Sequence, residues 1–282
     1  MTSASQFLSP RQAARVLGAS ESSLKRWVDA GDLAIRRTAG GHRRIPTAEV
    51  VRFARREGLT LQDASLLSRS PPAAGRRLKA EVTRALRDGD AEAVQRLLIR
   101  AHLDGTPLAV LADGPLRLAM EDLGRLWLDD PDGVAREHQA TLLVMRSIEA
   151  LRNLLPAPRP GAPTAVGGGP AGDPYLLPSL LVSLVLHEAG WRTVDLGPNT
   201  PDAALVAAAN RHGATLVWRS YTGELEPTAA AKDLATLCQR LAPCRVVAGG
   251  WRAHLLGGLD GIANLERPGT MSDLAILVRT EA

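Results

Sequence analysis

Two short proline-rich stretches divide this chain of 282 residues into three segments, and the division constrains the fold more than any single motif. Residues 59–75 contain Ser-Arg-Ser-Pro-Pro-Ala-Ala-Gly, and residues 157–163 read Ala-Pro-Arg-Pro-Gly-Ala-Pro. Because proline and glycine interrupt helices and strands, both stretches are predicted to be linkers. The predicted fold class is therefore multidomain α and α/β, with separate domains at residues 1–58, 76–156 and 164–282.

Charge separates the first segment from the rest of the chain. Residues 1–58 hold eleven Lys and Arg against five Asp and Glu, a net charge of +6, whereas the remaining residues are net −2. Such an asymmetry indicates a basic N-terminal module that binds a polyanion, attached to a nearly neutral body.

The N-terminal segment carries the signals of two short helices joined by a tight turn. Ser9 and Pro10 open a helix that Gly18 ends, and Ser20 caps a second helix that Gly31 ends. This is the helix-turn-helix arrangement, in which the second helix enters the major groove of DNA. The polar residues early on the second helix are the predicted groove contacts: Ser22, Ser23, Lys25 and Arg26.

A basic hairpin is predicted directly after these helices. Alternating residues flank Gly40-Gly41, and a third helix follows from Thr47. A hairpin of this kind can place cations against phosphates or in the minor groove. The hairpin residues predicted to contact DNA are Arg36, Arg37, His42, Arg43 and Arg44.

The strings Ser-Pro-Arg-Gln-Ala-Ala-Arg-Val-Leu-Gly, Leu-Lys-Arg-Trp and Thr-Ala-Gly-Gly-His-Arg-Arg-Ile carry a family resemblance. With them, residues 1–58 resemble the MerR-like and excisionase-like winged helix-turn-helix proteins. The resemblance implies that the partner is double-stranded DNA.

The middle segment has helical periodicity with short connections, which predicts a four-helix bundle. The fourth helix is expected to bury Leu142, Met145, Ile148 and Leu151. The predicted helices start at Arg76 and then cover residues 91–103, about 107–128 and about 134–155.

The turn before the fourth helix brings three notable side chains together. Asp-Asp-Pro-Asp-Gly separates Trp127 from Glu137 and His138, so an antiparallel helix pair places all three at one end of the bundle. An aromatic face beside a carboxylate and an imidazole can cover a flat, polar-edged ligand. The spacing alone favours a core tryptophan beside a solvated Glu-His pair.

In the last segment, short aliphatic runs alternate with amphipathic helices, which predicts a Rossmann-like (flavodoxin-like) parallel sheet. Glycines at 167–169 and at 249–250 follow two of the strands and allow close approach of a ligand. The predicted strands are residues 164–166, 191–196, 215–218, 245–248 and 274–278.

Taken together, the three segments and the Trp-x9-Glu-His spacing resemble the cobalamin-dependent photoreceptor regulators of the CarH and LitR type, over nearly the whole chain. The resemblance implies that Trp127, Glu137 and His138 cap the upper face of adenosylcobalamin. It also implies cofactor contacts on the sheet side, from Asp173, Tyr175, Ser220, Gly249 and Gly250.

One position departs from that family. Its sheet domains carry Asp-x-His-x-x-Gly, whose histidine binds cobalt from below, whereas this chain has Tyr175 and Pro178 at the histidine and glycine positions. A neutral imidazole is a good cobalt ligand, and a protonated phenol is a poor one. In addition, Leu128 stands where some relatives have a second histidine, and Trp218 and Trp251 could fill the groove for the nucleotide tail.

Three interpretations of the bundle and the sheet domain therefore stay open. It binds cobalamin without the lower histidine, it binds a different small molecule, or it binds nothing and serves only in assembly.

The predicted function is a DNA-binding transcriptional regulator, in particular a repressor, that acts as a homo-oligomer because one winged helix contacts few phosphates. The alternatives are a corrinoid-binding, methyltransferase-like enzyme component and an excisionase-like architectural protein. We predict no enzymatic activity, because the sequence shows no catalytic set and no metal cluster. Without a signal pattern or a long apolar run, we expect a cytoplasmic, nucleoid-associated protein with no membrane partner and with reduced Cys238 and Cys244.

Overall fold

The structure is a computed structural model that describes residues 7–37, 43–57, 59, 72–126 and 132–281. The predicted contacts His42 and Trp127, together with Leu128 and nearly all of the first linker, lie outside these described residues.

The N-terminal head is a small helical unit with an antiparallel sheet in the order β1-β3-β2. Its helix-turn-helix and its hairpin have the predicted positions. Strand β1, which pairs with β3, was not predicted, because two residues are too few to form a pattern. The elements are β1 (Phe7–Leu8), α1 (Pro10–Val16), α2 (Glu21–Asp29), β2 (Arg36–Arg37), β3 (Arg43–Pro46) and α3 (Thr47–Glu57).

Apolar side chains from all three helices and from β3 form the core of the head. Leu24, Ile45 and Phe53 are almost fully buried, and the ring of Trp27 packs against that of Phe53 at 4.8 Å between centroids. This core fixes α2 against the hairpin and leaves the opposite face of α2 exposed.

The bundle follows the predicted order of helices, with two corrections to their bounds. Its first helix begins at Pro72, inside the predicted linker, and its third helix is interrupted by a π-helical turn around Pro115. Proline lacks the N–H that an α-helix needs, so the α-helical hydrogen bonds cannot continue there. The elements are α4 (Pro72–Arg87), α5 (Ala91–Leu103), α6 (Leu108–Leu111), the π-helix Ala112–Leu116, α7 (Arg117–Leu126) and α8 (Gly133–Arg152).

The buried face of α8 differs from the predicted one at Leu142, which is 52% exposed. Ile148 and Leu151 are buried as predicted, and the interior face continues through Leu143 and Val144. The prediction was wrong at Leu142 because that residue lies one position outside the stripe that the neighbouring helices cover.

The C-terminal segment is a parallel five-stranded sheet in the order β5-β4-β6-β7-β8, which is the flavodoxin-like order. The step in strand order between β4 and β6 is its topological switch point. The elements are β4 (Thr164–Gly168), α9 (Leu177–Glu188), β5 (Arg192–Asp195), α10 (Asp202–His212), β6 (Leu216–Ser220), α11 (Pro227–Leu241), β7 (Arg245–Gly249), β8 (Leu265–Glu266) and α12 (Met271–Leu277).

The predicted last strand at residues 274–278 is wrong. Leu265–Glu266 forms the edge strand, and Met271–Leu277 is a helix whose start Thr270 caps through its hydroxyl. A tertiary contact decides the conformation, because the carboxylate of Asp113 accepts hydrogen bonds from the backbone N–H groups of Met271 and Ser272 at 2.8 Å each. Periodicity over so few residues cannot report a cap supplied from elsewhere in the chain.

Helix α9 belongs to two cores at once. Leu184 packs into the bundle, whereas Val185 and Leu186 pack against the sheet. The carboxylate of Glu188 at the end of α9 also accepts the backbone N–H of Leu108, at the start of α6. The bundle and the sheet therefore share buried surface and helix caps. None of the described helices is long and apolar enough to cross a membrane.

Candidate functional site

The outer face of α2 presents a polar and basic surface. Ser20 accepts the backbone N–H of Ser23 at 3.1 Å and so caps the helix, while its hydroxyl also lies 2.8 Å from that of Ser22. Arg26 donates to the hydroxyl of Ser23 at 3.2 Å, and Lys25 is exposed beside it. All four predicted contacts of this helix, including Ser22, thus lie at its first turns, where a groove-reading helix uses them.

The hairpin stands next to this helix face. In the pairing of β2 with β3, Arg36 is opposite Arg44 and Arg37 is opposite Arg43. Arg43 also lies 3.7 Å from the carboxylate of Asp29 at the end of α2. A cleft of about 330 Å³ separates helix and hairpin, with Ser22, Lys25 and Arg43 among its lining residues. The head thus collects cations and hydroxyl donors on one face, which matches the hydrogen-bonding needs of a phosphate backbone.

The bundle end that was predicted to cover a ligand is described only in part. Glu137 and His138 lie on the second turn of α8 and are exposed. Val134 and Leu142, one helical turn before and after His138, are also exposed, at 66% and 52%. Because Trp127 is outside the described residues, the grouping of the three side chains stays a prediction.

Helix α8 is anchored beside strand β5. Arg152 donates to the hydroxyls of Ser183 at 3.0 Å and Thr193 at 3.3 Å. Burial raises the pKa of the Asp195 carboxyl at the end of β5, and the charge of Glu149, one turn earlier on α8, raises it further. The N-terminal end of α8 therefore points towards the carboxyl edge of the sheet.

Asp173, a predicted cofactor contact, is buried and ties together two loops at the switch point. Its Oδ1 accepts the backbone N–H of Tyr175 at 3.0 Å. Its Oδ2 accepts those of Thr222 at 2.7 Å and Gly223 at 2.9 Å, in the loop after β6. The carboxylate therefore bridges the loops that follow β4 and β6, and its hydrogen bonds go to the protein itself.

Tyr175 and Ser220, the next two predicted contacts, differ in exposure. The side chain of Tyr175 is 49% exposed, just before α9, whereas Ser220 is 3% exposed at the end of β6. The structure thus places Tyr175 on the surface and Ser220 inside the sheet.

The glycines predicted to admit a ligand are close to other parts of the chain. A Cβ atom added to Gly167 would lie 2.1 Å from Cδ2 of Trp218. A Cβ on Gly168 would lie 2.5 Å from the carbonyl oxygen of Gly197, and one on Gly250 would lie 2.4 Å from that of Tyr221. Three of these glycines therefore accommodate close protein contacts, and only Gly169 and Gly249 have ordinary space around them.

A chain of hydrogen bonds runs through the buried Trp218. Its indole Nε1 donates to the hydroxyl of Ser179 at 2.9 Å, and that hydroxyl donates to Oδ1 of Asp195 at 2.8 Å. The backbone N–H of Gly197 also donates to this oxygen, at 3.0 Å. Trp251, in contrast, is 66% exposed and does not fill the groove. Sequence reasoning missed Ser179, because nothing marks a serine early in an apolar helix as a partner of a distant strand.

Arg219 is a second residue that the sequence analysis missed. Its side chain is fully buried and donates to the carbonyl oxygens of Gly169 at 3.1 Å and Thr200 at 2.8 Å. It also forms an ion pair with Asp202 at the start of α10. An arginine within the apolar strand Leu-Val-Trp-Arg-Ser was the available signal, since charged residues are rarely buried without partners.

These contacts show whether the sheet side fits a cobalamin whose cobalt is bound from below by a side chain and whose nucleotide tail lies in the groove over Gly167. The donor that would face cobalt is a phenol on the surface, both oxygens of Asp173 already accept backbone N–H groups, and the space over Gly167 is filled by an indole. The residues present on this side therefore do not fit that mode of binding. Among the described residues, no group of three His, Cys, Asp or Glu side chains can hold a metal ion.

Two family models match the chain. Residues 7–58 match a helix-turn-helix domain, and residues 78–152 match a B12 binding domain. Over 271 residues, the chain is 30% identical to the HTH-type transcriptional repressor CarA of Myxococcus xanthus. This alignment covers 87% of this chain and 88% of that protein.

Solved corrinoid proteins resemble the fold at low sequence identity. The monomethylamine corrinoid protein of Methanosarcina barkeri is 16% identical, and its superposition covers 73% of this chain and 99% of that protein chain, with a TM-score of 0.48. The methanol:cobalamin methyltransferase complex MtaBC of the same organism is 18% identical and covers 79% of this chain and 89% of its own, with a TM-score of 0.36.

Proposed function

Since this chain belongs to the family of the HTH-type transcriptional repressor CarA, we propose that it represses transcription by binding operator DNA with its head. The chain is a DNA-binding transcriptional regulator with a helix-turn-helix head and a B12-binding-type body. The finer proposal is that α2 enters the major groove, that the hairpin arginines hold the adjacent backbone, and that the body sets how copies assemble.

The observation that carries the proposal is the shared face of α2 and β3. Lys25 of the helix and Arg43 of the strand line the cleft between the two elements, and Arg26 is exposed at the next position of the helix. The core under this face is a cluster of buried apolar residues, which supports the helix and the strand that carry these cations. Electrostatic contacts with phosphates supply much of the affinity of such proteins and make it strongly dependent on salt.

The ion pair between Arg43 and Asp29 orients the hairpin arginine along the end of α2. Both side chains are partly exposed, so the pair adds little stability. It restricts the directions in which the guanidinium can point, which lowers the entropy lost when a phosphate is bound.

A role for the body in assembly is supported by its exposed apolar side chains and by the limits of one head. Leu103, Val134 and Leu142 are each more than half exposed on the bundle. One head contacts few phosphates, so two linked heads on repeated half-sites bind far more tightly than one.

The alternative of a corrinoid-binding enzyme component is disfavoured, because the similarity to a transcriptional repressor includes the DNA-binding head. An excisionase-like architectural protein is disfavoured as well, because the similarity extends over 271 residues and not over the head alone.

The test is DNA binding by the full chain and by the double variant Arg43→Ala/Arg44→Ala, measured by fluorescence anisotropy. The duplexes are first selected from a random pool by the unmodified protein. We expect the affinity of the variant to fall by about 10- to 100-fold at fixed ionic strength. The slope of log affinity against log salt should decrease by about two for each copy bound.

Arg96→Ala is the matched control, because Arg96 is an exposed arginine on the bundle that pairs with Glu92 at the surface. It should leave both affinity and slope unchanged. Equal binding by the hairpin variant and the unmodified protein would refute the role of the hairpin. Sedimentation of the full chain on duplexes with one or two half-sites reports the proposed assembly.

A further inference from the structure

Parallel α/β sheets bind ligands beyond the carboxyl ends of their strands, at the switch point in strand order. In this sheet the switch point lies between β4 and β6. The last residues of β4 are Gly167 and Gly168, which have no side chains and so leave space next to β6. What fills that space decides whether the domain has a ligand site there.

The indole of Trp218 fills it. Gly167 and Trp218 are opposite each other in the pairing of β4 with β6. The space of a Cβ on Gly167 is taken by three ring atoms of Trp218, at 2.1, 2.3 and 2.4 Å. Trp218 is 1% exposed and packs in the same apolar cluster as Val182 and Leu186 of α9. The glycine thus makes room for a side chain of the same domain.

The polar edge of the indole has a partner too. Nε1 donates to Ser179, which in turn donates to Asp195. Turning the indole out of the groove would break this chain of hydrogen bonds and expose a large apolar surface to water. The closed arrangement is therefore strongly favoured over an open one.

The entrance to the groove is also closed by a buried carboxylate. Asp173 binds the loop after β6 to the loop after β4. An incoming group would have to displace several buried hydrogen bonds before it reached the indole.

We propose that the indole of Trp218 permanently fills the switch-point groove. The sheet domain therefore binds no aromatic base beside Gly167 and acts in regulation without one. The proposal concerns the C-terminal domain alone and does not depend on the proposed DNA binding. It defines the chemical class that fits the groove, a fused bicyclic heterocycle such as indole or a benzimidazole.

The first experiment removes the indole side chain of Trp218. In the full-length variant Trp218→Gly, a flat apolar cavity should form, and engineered cavities of this kind bind small aromatic molecules. We expect indole or 5,6-dimethylbenzimidazole at millimolar concentration to raise the Tm of Trp218→Gly by about 3–6 °C, with saturation. The Tm of the unmodified protein should not change.

Trp251→Gly is the matched control, because Trp251 is a largely exposed tryptophan at the same edge of the sheet. Its Tm should not respond to indole. A folded Trp218→Gly protein that indole does not stabilise would overturn the proposal. Equal stabilisation of the unmodified protein would overturn it as well, because it would reveal an open site.

The second experiment needs no variant and therefore holds even if Trp218→Gly does not fold. The unmodified protein is dialysed in the dark against adenosylcobalamin, which carries a nucleotide tail, and separately against cobinamide, which lacks one. We expect retention of the two corrinoids to be equal within about threefold, a difference of about 0.65 kcal/mol. Retention of adenosylcobalamin at least tenfold above that of cobinamide would show an inserted tail and would contradict the proposal.

Discussion

The head and the switch-point groove both contain polar residues at places where such folds bind their partners, but they use them in opposite ways. In the head, Lys25 and Arg26 are exposed. Near the switch point, Asp173 and Arg219 are buried, and they bind backbone groups and, in the case of Arg219, the carboxylate of Asp202. The difference indicates that a residue in a family's binding position is a binding residue only if its hydrogen-bonding capacity is still free.

The largest expected effect is a loss of stability when the buried Arg219 of the sheet domain is replaced, in contrast to the exposed arginines of the head. Arg219→Met removes a fully buried guanidinium that pairs with Asp202 and holds two carbonyl oxygens. We expect the free energy of unfolding to fall by about 3 kcal/mol, because two carbonyl oxygens lose their donor and Asp202 loses its cation. Urea unfolding followed by circular dichroism measures the loss.

Arg43→Ala is the counterpart of that variant in the head. It should leave the urea midpoint unchanged while it weakens DNA binding, because Arg43 is partly exposed. If Arg219→Met left stability unchanged and altered DNA binding, the distinction between the two regions would be wrong.

An intermediate effect is expected for Asp173→Asn. Both carboxylate oxygens of Asp173 accept backbone N–H groups, so the amide nitrogen of asparagine would face at least one donor. We expect a loss of about 1–3 kcal/mol in the free energy of unfolding at neutral pH. Unchanged or increased stability would instead mark Asp173 as a residue kept for a ligand.

The smallest effect, with the opposite sign, is expected for Asp195→Asn. Oδ1 of Asp195 accepts from Ser179 and Gly197, whereas Oδ2 is buried without a partner among the described residues. An asparagine keeps the first interactions and removes a buried charge, so we expect a gain of up to about 1 kcal/mol at neutral pH.

The pH dependence of this variant follows from the direction of the pKa shift. Burial raises the pKa of Asp195 above its ordinary value of 3.8. The contribution of this group to stability is therefore complete below that value and is lost as the pH rises through the raised pKa. The advantage of Asp195→Asn should vanish in acid and grow towards neutral pH. A constant difference across that range would contradict the assignment of the shift to burial.

Local signals in the sequence predicted most of the architecture. Ser9-Pro10, Ser20 and Gly31 mark helix ends by their own chemistry, and the alternation of strands and helices predicted the parallel sheet. The errors occurred where distant residues decide. Residues 271–277 are helical because Asp113 caps them, and Leu142 is exposed because no neighbouring helix covers it.

The groove could be predicted only in part for the same reason. Tyr175 at the position of the family's histidine was visible as a change of residue type. The contacts of Ser179 and Arg219 depend on which strands and loops become neighbours, which no spacing along the chain reveals. Gly167 illustrates the limit, since a glycine that admits a ligand and one that admits a tryptophan are identical in sequence.

The caps exchanged between bundle and sheet also determine how the chain can be dissected. Glu188 of the sheet domain caps α6 of the bundle, and Asp113 of the bundle caps α12 of the sheet domain. A fragment that ended before β4 would lose the cap of α6 and would expose the bundle residues that Leu184 covers. The B12-type match at residues 78–152 therefore outlines a region of similarity, and we expect a fragment limited to it to be less stable than one that also contains the sheet domain.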